Sequence, residues 1–177
     1  MTEDALWYEA AHVVGITNAV NVVADGLARP GSPELLLSPV AERGAAAEVE
    51  ALFAEIRAFY AREDVPAPFR VMARDPGYAS DVWGAVKRAF SEHRLSRRLK
   101  EALAFAVSLT SRSAFGTAFH LGELRRLGVG DRGIMEVLGV TQMFSSYTKI
   151  ADTLQLEPDM ADIAPADWTP APGGRRP

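Results

Sequence analysis

A short stretch of this sequence holds residues whose types and spacing point to proton-transfer chemistry. Glu101 and Ser108 are seven residues apart, two turns of an α-helix, so they share a face of an otherwise apolar run with Phe105 between them. Ser113, Gly116, Thr117 and His120 follow at i, i+3, i+4 and i+7, a single stripe of a second helix. Polar groups embedded in apolar helices call for a reason, because burying an unpaired charge is costly. If the two helices pack antiparallel through a turn near Arg112, Glu101 approaches His120. A carboxylate beside an imidazole fixes its tautomer, and the two form an acid/base pair. Plainer readings stand beside this one: Glu101 as a helix-start carboxylate paired with Arg97 or Arg98, Ser113 as a helix N-cap, and His120 as a satisfied core histidine.

Composition narrows the remaining chemistry. The chain has 177 residues, enough for one domain at roughly 100–200 residues each, or one domain with an appendage. Its 19 Lys and Arg against 23 Asp and Glu give a net charge of −4, and 48% of residues are hydrophobic, a globular balance that argues against a nucleic-acid partner. There is no cysteine, so disulfides, thiolate ligands and thiol nucleophiles are excluded. The three histidines, His12, His93 and His120, never stand at i, i+4, so no metal site is expected. His12 reads as structural and His93 as a helix C-terminal residue. The acidic start and the lack of an apolar run near ~20 residues predict no membrane span and a cytoplasmic protein.

Apolar spacing predicts that these residues sit on an all-α scaffold. One long helix runs from Leu6 to Leu27 through Val13, Ile16 and Val20, ended by Arg29-Pro30-Gly31-Ser32-Pro33. Leu35 to Val40 reads as irregular, Ala41 to Arg62 as an amphipathic helix, and Ala67 to Ala73 as a helical turn. Asp75-Pro76-Gly77 starts a further helix with Tyr78, Val82, Trp83, Val86 and Phe90 inward. Ser96 to Thr110 is apolar nearly all round after its basic first turn, which predicts the central, most buried helix. Ser113 to Leu127 follows, and Asp131 is expected to cap a last helix through Ile134, Leu138, Met143, Tyr147 and Ile150 to Leu154. The proline-rich stretch 157–177 reads as an extended tail docked through Trp168. Arg125-Arg126 reads as a solvated face. A weak internal echo relates Ala24-Asp25-Gly26-Leu27 to Ala151-Asp152-Thr153-Leu154, with Asn18 and Asn21 opposite Ser145 and Thr148.

From Pro66 to Pro158 the sequence resembles the alkylhydroperoxidase D-like branch of the carboxymuconolactone decarboxylase family. The likeness is carried by Pro68-Phe69-Arg70-Val71, Leu99-Lys100-Glu101-Ala102-Leu103-Ala104, the helix ending in His120, Leu127-Gly128-Val129 and Tyr147-Thr148-Lys149-Ile150-Ala151-Asp152. Family peroxidases carry a glutamate, then Cys-x-x-Cys-x-x-x-His; here that frame reads Glu101, Ser113, Gly116 and His120, with Phe115 where a further histidine is often found. A serine hydroxyl cannot form a sulfenate and glycine resolves nothing, so thiol peroxidase chemistry is lost. The resemblance implies an alkylhydroperoxidase D-like helical bundle over 66–156, with 1–65 a helical extension that is a candidate degenerate repeat. It also implies a homo-oligomer and cofactor-independent chemistry on a small organic acid, lactone or related metabolite. In that reading Glu101 and His120 exchange the proton and Ser113 orients the substrate. Phe105, Phe115, Gly116, Phe119 and Tyr147 are then expected to line an apolar pocket between the two helices. The rival reading is a non-catalytic oligomeric scaffold or ligand-binding protein that kept the fold after losing its thiols.

Overall fold

The computed structural model describes residues 4–28 and 35–156. Among them are seven helices and no named strand: α1 (Asp4–Gly26), α2 (Ala47–Tyr60), α3 (Ala67–Met72), α4 (Pro76–Phe90), α5 (Arg97–Thr110), α6 (Ala114–Arg126) and α7 (Asp131–Leu154). The bundle is all-α, as the spacing of apolar residues predicts. The residues expected to start and to end the first helix (Thr2-Glu3 and 29–33), and the tail with Trp168, lie outside the described residues.

Local chemistry sets the helix ends that matter for the site. Asp75, Ser96 and Ser113 each cap a helix, their side chains accepting the N–H of Tyr78, Leu99 and Gly116. The α5–α6 turn places Arg112 at φ 59, and the α6–α7 turn uses Gly128 at φ 81, the left-handed conformation that reverses a chain without a long loop. The first of these turns lays α6 back along α5.

Two apolar clusters hold the bundle. The larger packs Val13 of α1, Phe53, Ile56 and Tyr60 of α2, Phe69 of α3 and Trp83, Val86 and Phe90 of α4 around Ala104. A smaller one joins Phe105, Leu124 and Ile134. α1 packs along α4, α5 and α6, and it is tied at its start by a buried ion pair between Glu9 and Lys100. Glu9 also accepts the backbone N–H of Arg94 and Leu95.

Several expectations are corrected. The second helix begins at Ala47 rather than Ala41, because Glu42 stays in the loop to accept from Val65 N and Arg57 and to pair with Arg70. Gly130, not Asp131, stands at the N-cap of α7. Tyr78 faces solvent rather than the core. α5 is not covered all round: Leu99 is 46% exposed and fronts an open apolar groove with Ala102, Ala106 and Val140. Only Ile134 of α7 is buried, and Met143, Phe144, Tyr147, Ile150 and Leu154 stand in the open.

Candidate functional site

The antiparallel packing of α5 and α6 brings Glu101 and His120 into contact. Glu101 is fully buried, and its Oε2 lies 2.7 Å from His120 Nδ1. Its other oxygen accepts from Arg97 Nε at 2.8 Å, one turn earlier on α5. The acid/base pairing and the arginine pairing therefore coexist, because a carboxylate has two oxygens to offer. Arg97 in turn places Nη2 3.7 Å from Glu123 Oε2, and Glu123 accepts from Arg126, which was expected on a solvated face. Two buried carboxylates are thus matched by two guanidiniums.

Aromatic rings seal this network. The Arg97 guanidinium carbon is 4.5 Å from the Phe59 ring centre and 5.2 Å from that of Phe90. His120 stacks on Phe90 at 5.7 Å and meets Phe119 edge-on at 5.2 Å. Tyr60 is buried against the same wall; burial, reinforced by the charge of Glu101, pushes its phenol far above the ordinary value and keeps it protonated. On the free side of His120 is a cavity of about 20 Å³ lined by Ile16, Thr17, Tyr60, Phe90 and Phe119 among others. That is room for about one water-sized group. Thr17 is 2% exposed, and its hydroxyl has no hydrogen-bond partner among the described residues.

One helical turn away, α1 meets the start of α6. Ser113 caps α6 through Gly116 N at 3.1 Å, so the N-cap reading of this serine holds, and its Oγ donates to Asp25 at 3.1 Å. Asn21, 2% exposed, donates to Ser108 Oγ at 3.0 Å. A Cβ on Gly116 would lie 2.2 Å from Asn21 Oδ1 and 2.4 Å from Ser108 Oγ. Asn21 therefore fills the space that a side chain at position 116 would need.

Comparison with known proteins fits this arrangement. No curated protein matches the chain. The crystal structure of the alkylhydroperoxidase AhpD core from Rhodospirillum rubrum ATCC 11170 is similar over 74% of this chain and 96% of its own, at 26% identity and a TM-score of 0.66. Residues 76–156 match the model of the carboxymuconolactone decarboxylase family. Over those residues the chain is similar to carboxymuconolactone decarboxylase family proteins. The chain has no cysteine, and the frame of Glu101, Ser113, Gly116 and His120 is carried by α5, the N-cap of α6 and α6 itself.

Not every expected site residue is brought together. Phe115 and Phe119 line the cavity beside His120, but it lies on the α1, α2 and α4 side of α6, not between α5 and α6. Phe105 points the other way, into the cluster with Leu124 and Ile134. Tyr147 is 58% exposed on α7 and takes no part in lining it. The sequence reading missed Thr17 and Tyr60, which reach the site from α1 and α2, and weighed Asn21 and Asp25 only as members of the internal echo. Among the described residues no cluster of three or more His, Asp or Glu is placed to hold a metal ion, and no helix is long and apolar enough to cross a membrane.

Proposed function

We propose that this protein is an acid–base enzyme in which His120 moves the proton and Glu101 positions it, acting without a cofactor on a small lactone, organic acid or related metabolite. The carrying observation is the 2.7 Å contact between a fully buried carboxylate and Nδ1 of the imidazole. With Nδ1–H donated to Glu101, Nε2 is left as the base of a histidine that lines the cavity. Arg97 balances the carboxylate's charge, and the protonated Tyr60 hydroxyl stands at the cavity as a neutral donor. Ser113 is committed to capping α6 and to Asp25, so its expected part in orienting substrate is indirect, through the start of the helix that carries His120.

The same reading makes the protein a cytoplasmic homo-oligomer. The open apolar residues Met143, Tyr147, Ile150 and Leu154 of α7 form a stripe that a second copy would cover. The rival, a thiol-less scaffold, is favoured by the Arg97 clamp on Glu101, since a carboxylate serving only to neutralise an arginine would look the same.

Turnover of a panel of small lactones and keto acids separates the two. For the enzyme, His120→Gln lowers the rate by ~10²–10⁴-fold, the usual worth of one positioned proton-transfer group, while the fold is retained. Turnover that is indifferent to His120→Gln and to Glu101→Gln overturns the acid–base reading and leaves the scaffold.

A further inference from the structure

The cavity beside His120 has a larger neighbour. A pocket of about 150 Å³ lies between the end of α1, α3 and the start of α6, lined by Val23, Leu27, Leu35, Pro68, Val71 and Phe115 among others. Phe115 also lines the inner cavity, so its ring is the wall between the two spaces. The ring is half-buried and stacks on Phe119 at 5.6 Å, which in turn meets His120. A side-chain rotation of Phe115 would therefore join the pocket to the histidine.

The linings specify what would fit. Neither contains a lysine or an arginine, and the ionised side chain on the outer pocket is Asp25, an anion. A carboxylate ligand there would lose its water, gain no cation and meet a like charge; an uncharged ligand meets none of these costs. An apolar cavity of about 150 Å³ accommodates a benzene-sized body. At the inner end, Thr17 Oγ1 is buried without a partner among the described residues, and the Nδ1 of His120 is taken by Glu101, which leaves Nε2 as its acceptor. One donor and one acceptor are thus held out for a single polar head.

We propose that the two spaces form one ligand site, for an uncharged molecule whose benzene-sized apolar body fills the outer pocket and whose hydroxyl or carbonyl reaches past Phe115 to Thr17 and His120 Nε2. This rests on the acid–base reading and narrows its substrate from organic acids to neutral compounds such as lactones. It also makes Thr17 a binding residue and Phe115 a gate.

Two probes of one shape and different charge test it: benzyl alcohol, and benzoate at neutral pH, titrated into the full-length protein while the histidine ring resonances are followed by NMR. Benzyl alcohol is expected to shift His120 saturably, with benzoate about tenfold or more weaker. Ala114→Leu, at an exposed position on the outer pocket, should fill that space and weaken benzyl alcohol about tenfold. Phe115→Ala should admit a bulkier alcohol than the wild type takes. Benzoate binding as well as the alcohol, an alcohol shift unaffected by Ala114→Leu, or no binding of either probe overturns the proposal. The hydrogen-bonded Nδ1–H proton of His120, read in the same spectra, tests the acid–base pair separately. If it is present while neither probe binds, only the ligand site fails; if it is missing, the pair itself fails.

Discussion

A methyl group placed on Gly116 tests how α1 seals the site. The new Cβ would stand 2.2 Å from Asn21 Oδ1, whereas ordinary contact begins near 3.4 Å, so Asn21 must retreat by about 1 Å. That side chain is 2% exposed and Ser108 is fully buried, so neither has open space to enter. Overpacking of this kind costs about 1–3 kcal/mol, and giving up the Asn21 to Ser108 hydrogen bond adds about 1 kcal/mol. The better helix propensity of alanine returns about 1 kcal/mol. Gly116→Ala should therefore destabilise the protein by about 2 kcal/mol, a fall in Tm of about 4–8 °C for a chain of this size. Thermal denaturation followed by circular dichroism reads it. Asn21→Ala removes the clashing amide, so the double variant should be more stable than the summed single effects by about 0.5–3 kcal/mol. A Gly116→Ala protein as stable as wild type, or strictly additive behaviour, would refute the close approach of α1 to α6.

Other outcomes follow from the same geometry. Glu101→Gln should abolish the protected downfield proton of His120 Nδ1–H seen by NMR, since the charged acceptor at 2.7 Å is gone; an unchanged resonance contradicts the pairing. Burial alone would raise the Glu9 carboxyl, but the Lys100 ammonium and the N–H groups of Arg94 and Leu95 outweigh it and hold it below its ordinary 4.5. The unfolded chain therefore binds the proton more readily, so this contribution to stability is complete above the ordinary value and is lost as pH falls through the lower folded one. Glu9→Gln should flatten that part of the acid profile and, by leaving Lys100 buried and uncompensated, cost about 3–5 kcal/mol at neutral pH in urea denaturation. Tyr147→Glu, at a position 58% exposed, should shift the assembly toward monomer in sedimentation velocity while leaving Tm of the monomer unchanged; an oligomer indifferent to it places the interface elsewhere.

The pairing of Glu101 with His120 was legible because it needs only helical periodicity and one tight turn. The positions of Phe105 and Tyr147 were not. Phe105 follows Glu101 by four residues, which turns it about 40° around the axis, while Ser108 is turned about 20° the other way. That divergence is enough to send Phe105 toward α7 and Ser108 toward α1. Tyr147 sits in an apolar stripe, and such a stripe shows that a helix has a face to cover without showing that this same chain covers it. Thr17 and Tyr60 come from helices far from the motif, and each occupies an ordinary core position of its own helix; only the packing of α1 and α2 onto α6 gives them a role. Alternative roles for Glu101 looked exclusive in one dimension and are simultaneous in three.

α1 is fastened unequally at its two ends. Near its start, Glu9 is locked by a buried ammonium and two backbone groups; near its close, Asp25 is exposed and holds Ser113 through a single hydroxyl. Between those ends Asn21 holds α1 to Ser108, so the part of the helix that borders the 150 Å³ pocket, beyond Asn21, has fewer side-chain ties than the part around Glu9. Local opening at that end therefore breaks fewer bonds than it would at Glu9, and the mouth of the outer pocket lies on the more lightly tied half of α1.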